Sequence, residues 1–85
     1  MTEGEHIGEV THYYKKVEVG ILQLLADLKL GDHIRFKGAH TDFTQSVDSM
    51  QVEHENIEHA TAGSEVALKV SARVRAGDSV YRLED

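Results

Sequence analysis

The stretch Ser64 to Ser71, with the sequence SEVALKVS, alternates apolar and polar side chains and decides the fold class of this chain. Val66, Leu68 and Val70 fall on one side of an extended backbone, and the residues between them fall on the other. This is the pattern of a β-strand with one face on a core and one face in water. The same period of two recurs at residues 17–21 and 33–37.

The regions outside these alternating segments are also typical of an all-β chain. Residues Ile7 to Tyr14 and Ser79 to Leu83 are rich in residue types that favour strands. Turn signals separate the segments, namely Gly31-Asp32, Gly63-Ser64 and Gly77-Asp78. Six short strands at a spacing of roughly 8–12 residues indicate a barrel or a sandwich. We expect a barrel, because closure removes exposed strand edges in so short a chain.

Two segments are ambiguous from periodicity. Ile21 to Leu28 also fits the spacing of an amphipathic helix, and we interpret Val17 to Leu24 as a strand mainly from the resemblance given below. In Asp42 to His54 the apolar residues change strand face part-way. A β-bulge near Asp48–Ser49 would turn both sets inward, and we predict one there.

Composition limits the classes of protein that remain. The chain has 85 residues, no cysteine and a formal net charge of −6. We predict a single domain over residues 1–85, without disulfides or thiolate metal sites, in the cytoplasm. The N-terminus has no signal-peptide pattern, and no stretch is apolar enough for a membrane span. The acidic balance argues against DNA or general nucleic-acid binding.

An ordered set of short motifs carries a resemblance to a known family. The motifs are Leu30-Gly31-Asp32, Val47-Asp48-Ser49-Met50-Gln51-Val52, Ile57-Glu58-His59-Ala60, Val66-Ala67-Leu68 and Gly77-Asp78-Ser79-Val80. Together they resemble the second domain of translational GTPases such as elongation factor Tu and initiation factor two, and the stand-alone elongation-factor-like proteins. Similar domains also occur at the C-terminus of a collagenase-like peptidase family. The resemblance implies a six-stranded antiparallel Greek-key β-barrel over about residues 7–83, with frayed termini.

The resemblance also implies a function. The chain has no G-x-x-x-x-G-K-S/T phosphate loop, so GTP binding is not expected. In that family the barrel contacts RNA, the ribosome or the aminoacyl end of tRNA. We therefore predict a non-catalytic binding module whose partner is structured RNA, the ribosome or a protein of the translation or RNA-modification machinery. The alternative is a protein–protein adaptor that binds no nucleic acid.

The candidate binding residues lie in and after the strand around Ile34. They are Arg35, Lys37, Thr41, Asp42, Phe43 and Gln45. Arg35 and Lys37 could form a small patch that contacts an anion or RNA, with Phe43 as a stacking platform. The simpler reading is that the two cations are the solvated face of a strand and that Phe43 belongs to the core.

Catalysis and metal binding have weak support in the residues. His54 and His59 are five apart, so on a helix they would diverge by about 140°, and we favour a solvated turn there. No serine lies in a G-x-S-x-G context. We expect no enzyme, no metal and no cofactor, although an enzyme or metal protein stays open if histidines converge in one pocket. Tyr13 and Tyr14 should occupy opposite faces of one strand, which would leave one ring exposed.

Overall fold

The architecture comes from a computed structural model that describes residues 4–83. It has ten strands: β1 Glu5–Tyr14, β2 Val19–Leu24, β3 Leu28–Lys29, β4 His33–Lys37, β5 Asp42–Ser46, β6 Met50–Val52, β7 Glu55–Ile57, β8 His59–Ala60, β9 Glu65–Lys69 and β10 Ser79–Leu83. No helix occurs within this described range. The prediction of an all-β domain is confirmed.

The strands form two antiparallel sheets. The larger sheet has eight strands in the order β5-β4-β10-β1-β2-β9-β6-β7, and the smaller one pairs β3 with β8. At its centre β2 is paired on both sides, with β1 and with β9, and Leu22 lies opposite Val66. The first and last strands are neighbours, because Glu5 of β1 pairs with Arg82 of β10.

The core lies against one face of the larger sheet and is almost entirely aliphatic. Alternation places Leu22 and Leu24 of β2 beside Val66 and Leu68 of β9, and all four side chains are buried. Phe36 is the largest buried side chain and is fully inaccessible to solvent. The strand pattern of the sequence therefore locates the core.

The prediction of a closed six-stranded barrel is wrong. Strands β5 and β7 end the larger sheet, and within residues 4–83 no strand pairing joins them. A side chain instead bridges the gap between β5 and the end of β9. The Gln45 amide donates from Nε2 to the Lys69 carbonyl at 2.9 Å, and its Oε1 accepts from the Ser71 N–H at 2.7 Å. One glutamine thus satisfies two backbone groups that a neighbouring strand would have satisfied.

The predicted bulge in Asp42 to His54 is a break between two strands. Val47 and Met50 are both buried, as expected, but Asp48 and Ser49 belong to neither β5 nor β6. The reason is that β5 pairs with β4 whereas β6 pairs with β7 and β9, so the chain changes neighbours at this point. The register shifts lie in β1 instead, between His6 and Gly8 and between Val10 and His12.

The ambiguous leucine-rich segment, predicted as a strand from Val17 to Leu24, is a strand from Val19 to Leu24, and Val17 and Glu18 lie in the turn before it. Strand partners on both sides override its local helical preference. Leu25, which the helical pattern would have buried, is 54% exposed.

Arg82 connects the last strand to three other parts of the chain. Its guanidinium contacts Glu5 at 2.7 Å, Asp32 at 3.3 Å and the Asp27 carbonyl. The hydrogen bond to Glu5 raises the pKa of Arg82 above its usual value, against the opposing effect of burial. Arg82 therefore stays charged throughout the working range of a protein.

The described part of the chain contains no helix long and apolar enough to cross a lipid bilayer. The prediction of one domain over residues 1–85 stays a prediction. The frayed termini predicted with it fall on residues outside the described range.

Candidate functional site

The six predicted binding residues lie on one β-hairpin. Arg35 and Lys37 are in β4, Asp42, Phe43 and Gln45 are in β5, and Thr41 is in the turn between the strands. In this hairpin Lys37 lies opposite Asp42 and Phe36 lies opposite Phe43. The hairpin places them on two faces: Phe43 and Gln45 share the inner side with Phe36 and Ile34, whereas Arg35, Lys37 and Asp42 lie on the outer side.

Arg35 is engaged within this hairpin. Its Nε donates to Asp42 Oδ1 at 2.8 Å and its Nη2 donates to Asp42 Oδ2 at 2.9 Å. This two-pronged contact neutralises the guanidinium with a carboxylate of the same hairpin. A basic patch for anions is accordingly weaker here than the sequence indicated.

Phe43 and Gln45 make contacts within the fold, whereas the buried Thr41 hydroxyl has no hydrogen-bond partner among the described residues. Thr41 is 4% exposed. Phe43 packs against the core and stacks on Phe36, with ring centroids 5.0 Å apart and an interplanar angle of 26°. Gln45 bridges β5 and β9 as described above. The role of these residues in binding a partner stays a prediction.

The histidines are distributed over several elements. His54 lies in the turn between β6 and β7, and His59 lies in β8, 3.9 Å from the Asp27 carboxylate. Residues 4–83 contain no group of three histidine or carboxylate side chains placed to hold a metal ion.

A second surface, to which the sequence pointed only through Tyr13 and Tyr14, lies on the side of the larger sheet that faces away from the core. Tyr13 packs against the core whereas Tyr14 is 53% exposed, which confirms the prediction that one tyrosine faces outward. Tyr14 lies opposite Val19, and Ile21 lies opposite Ala67. We call this surface the hairpin face, after the hairpin formed by β1 and β2, and define it by Tyr14, Val17, Val19, Ile21 and Ala67.

The sequence of β2 explains why the hairpin face is apolar. Val19 and Ile21 point outward, and Leu22 and Leu24 point inward, so the strand is apolar on both sides. Val17, in the turn before β2, is 56% exposed and borders the same shallow groove as Val19 and Ala67. Apolar residues on both faces of one strand, rather than simple alternation, were the signal for this site.

Charged side chains surround the hairpin face. Lys15 and Lys16 are exposed in the turn that joins β1 to β2, and Lys69 lies opposite Val19 on β9. The same turn carries one carboxylate, Glu18, also exposed. Glu9 and Glu65, both exposed, lie opposite Gln23 at the other end of the same outer face. The border is therefore mostly basic at the β1–β2 turn and acidic at the opposite end.

Comparisons with known proteins show which proteins this chain resembles. No family model matches the chain. An uncharacterized protease from Methanocaldococcus jannaschii is 42% identical over 80 residues, which are 93% of this chain and 20% of that protein. A collagenase from Porphyromonas gingivalis is 27% identical over 81 residues, 93% of this chain and 22% of that protein. The chain spans about a fifth of the length of these relatives.

The solved structures agree with the sequence comparison. The C-terminal domain of a Geobacillus thermoleovorans protein described as a U32 peptidase superposes with a TM-score of 0.88 at 21% identity. The superposition covers 99% of this chain and 98% of that domain. The fold described here is therefore the fold of that C-terminal domain.

These findings correct the resemblance drawn from the motifs. The assignment to the second domain of translational GTPases is wrong, because the similar proteins are named a protease, collagenases and a U32 peptidase. The prediction of a binding module related to translation factors is wrong for the same reason. The expectation of no enzyme is also overturned by the names of the relatives. The comparisons support the other resemblance, to a domain found at the C-terminus of a collagenase-like peptidase family.

Proposed function

We propose that this chain is the β-domain of a U32-type peptidase and works together with a larger portion that hydrolyses peptide bonds. The observation that carries the proposal is the 42% identity to a segment of the Methanocaldococcus jannaschii protease. The match covers 93% of this chain and only 20% of the protease, as expected for one domain of a larger enzyme.

The structural comparison also supports the proposal that this chain is one domain of a larger enzyme. The superposition pairs 99% of this chain with 98% of that C-terminal domain, which supports treating the two as equivalent units. The segment could therefore be exchanged between proteins of this kind with few changes at the junctions. The substrate of the complete enzyme would be a polypeptide, as the name collagenase states for one relative.

A domain exchange tests the proposal. This chain replaces the matching 80 residues of the Methanocaldococcus jannaschii protease, and hydrolysis of fluorescent casein and denatured collagen is compared with that of the parent. A parent truncated by the same residues is the first control. A chimera with Leu22→Asp is the second, because Leu22 is fully buried and a charge there unfolds the domain.

We expect the chimera to cleave as the parent does and both controls to lose activity together. A folded chimera without activity, beside an active parent, would refute the proposal. A truncated parent as active as the complete protein would refute it equally.

A further inference from the structure

We propose that the hairpin face is the surface by which this chain docks onto the catalytic portion of a U32-type peptidase, against an apolar patch that is acidic where it meets the β1–β2 turn. The inference rests on the proposed function and adds the location and chemistry of the contact. Its support is the exposed apolar area of the face, the charges around that area, and the length of the relatives.

The apolar area is concentrated where a sheet face would normally be polar. Antiparallel sheets with one solvated face alternate apolar and polar residues, and β4 follows this rule with His33, Arg35 and Lys37 outward. Strand β2 departs from the rule, because Val19 and Ile21 occupy its outer side. A strand that is apolar on both sides is expected to be covered on both sides.

The most exposed members of the face have the character of interface residues. Tyr14 is 53% exposed and stacks on His12, with ring centroids 6.2 Å apart. Tyrosine is enriched at protein interfaces, since it contributes a large contact area and a hydroxyl group at little cost in conformational entropy. Val17 adds an aliphatic side chain beside it that is 56% exposed. Both are ready to be buried by a partner without rearrangement of the core.

The charges around the face indicate the sign of the charge expected on the partner surface. Lys15, Lys16 and Lys69 border its turn end, where Glu18 is the one carboxylate of the turn. Glu9 and Glu65 border the other end, opposite Gln23. Complementary charge at an interface border favours correct encounter and suppresses wrong partners. An acidic partner surface opposite the β1–β2 turn would complement these lysines.

The relatives indicate which partner that is. About four fifths of each relative lies outside the segment matched here, since the match covers 20% of one and 22% of the other. A domain joined to so large a neighbour has a covalently linked surface available at high effective concentration. The catalytic portion is therefore the occupant we assign to the hairpin face.

Hydroxyl-radical footprinting of the chimera locates the contact directly. We expect the ring of Tyr14 to react readily in the isolated chain and to be protected in the chimera. Leu25 is the internal control, because it is 54% exposed and lies directly after β2, whereas Val17 lies before it. It should react equally in both proteins.

Binding of the separated parts gives an independent measurement. The Methanocaldococcus jannaschii protease without its matching segment is titrated with this chain. Val17→Asp should weaken binding by roughly tenfold or more, the loss expected for one buried aliphatic side chain. Leu25→Asp, a matched substitution at a residue of equal exposure, should leave binding unchanged. Lys15→Glu with Lys16→Glu should weaken binding most at low salt.

The outcomes separate this inference from the proposed function. An active chimera in which Tyr14 remains as reactive as in the isolated chain would overturn the docking face and leave the proposed function standing. Equal binding by Val17→Asp and Leu25→Asp would do the same. Protection of Tyr14 in the isolated chain that grows with concentration would assign the face to a second copy and overturn the inference. An inactive, folded chimera would overturn the proposed function itself.

Discussion

Replacing Gln45 by alanine should loosen the junction between β5 and β9. The Gln45 amide makes two hydrogen bonds to backbone groups, to the Lys69 carbonyl at 2.9 Å and from the Ser71 N–H at 2.7 Å. Each is worth about 1 kcal/mol net. Water can replace part of this loss at so exposed a site, so we expect a decrease of about 1–2 kcal/mol in the free energy of unfolding. For a domain of this size that lowers Tm by roughly 5–15 °C.

Urea denaturation and amide hydrogen exchange would measure the effect. The exchange rate of the Ser71 N–H should rise selectively in Gln45→Ala. Gln45→Glu keeps the acceptor for Ser71 and removes the donor to Lys69, so it should protect that amide and still lose stability. Gln51→Ala is the matched control, because the Gln51 amide bonds only the exposed Asn56 side chain, at 2.9 Å. Unchanged exchange at Ser71, or equal losses in the Gln45 and Gln51 variants, would refute the bridging role.

Three further substitutions test other parts of the structure. His54→Gly should stabilise the fold by about 0.5–1 kcal/mol in urea denaturation, because His54 has a φ of 68° that glycine adopts without strain; a loss of stability would contradict this. Gly38→Ala should destabilise by about 2 kcal/mol or more, since the new methyl group would collide with the buried side chain of Asp78, and a melting curve like that of the wild type would disprove the close contact. Arg82→Met should cost about 1 kcal/mol after allowance for its partial exposure, by loss of the ion pair to Glu5. That loss should shrink at high salt, and a salt-independent change would point to lost packing instead.

Much of the fold could be predicted because its long strands are half-buried. Strands such as β4 and β9 show a period of two that depends only on local sequence and on one solvated face. The two-residue strands β3 and β8 have no measurable period, so sequence patterns miss them. Closure was mispredicted because it depends on the partner of β5, and a single side chain, Gln45, takes the place of that partner.

The candidate site was likewise only partly predictable from the sequence. The clustering of Arg35 and Asp42 follows from a hairpin, which the sequence indicates, but their mutual ion pair depends on side-chain geometry. The hairpin face was visible in principle, since Val19 and Ile21 are apolar beside Leu22 and Leu24. Function could not be derived from the strand and turn motifs, because such motifs specify a fold that unrelated activities share.

The pairing of the first strand with the last has a mechanical consequence. Glu5 of β1 lies opposite Arg82 of β10, and the ladder continues inward through His6 and Tyr81 to Glu9 and Ser79. Tension applied between residues 5 and 82 would pull directly across this antiparallel ladder and load its hydrogen bonds one pair at a time. A ladder opened in that direction unzips at low force, whereas the same bonds pulled along the strand axis would break together at a higher one. A neighbouring domain that pulled on both ends could therefore peel β1 from β10 before it disturbed the pairing of β2 with β9.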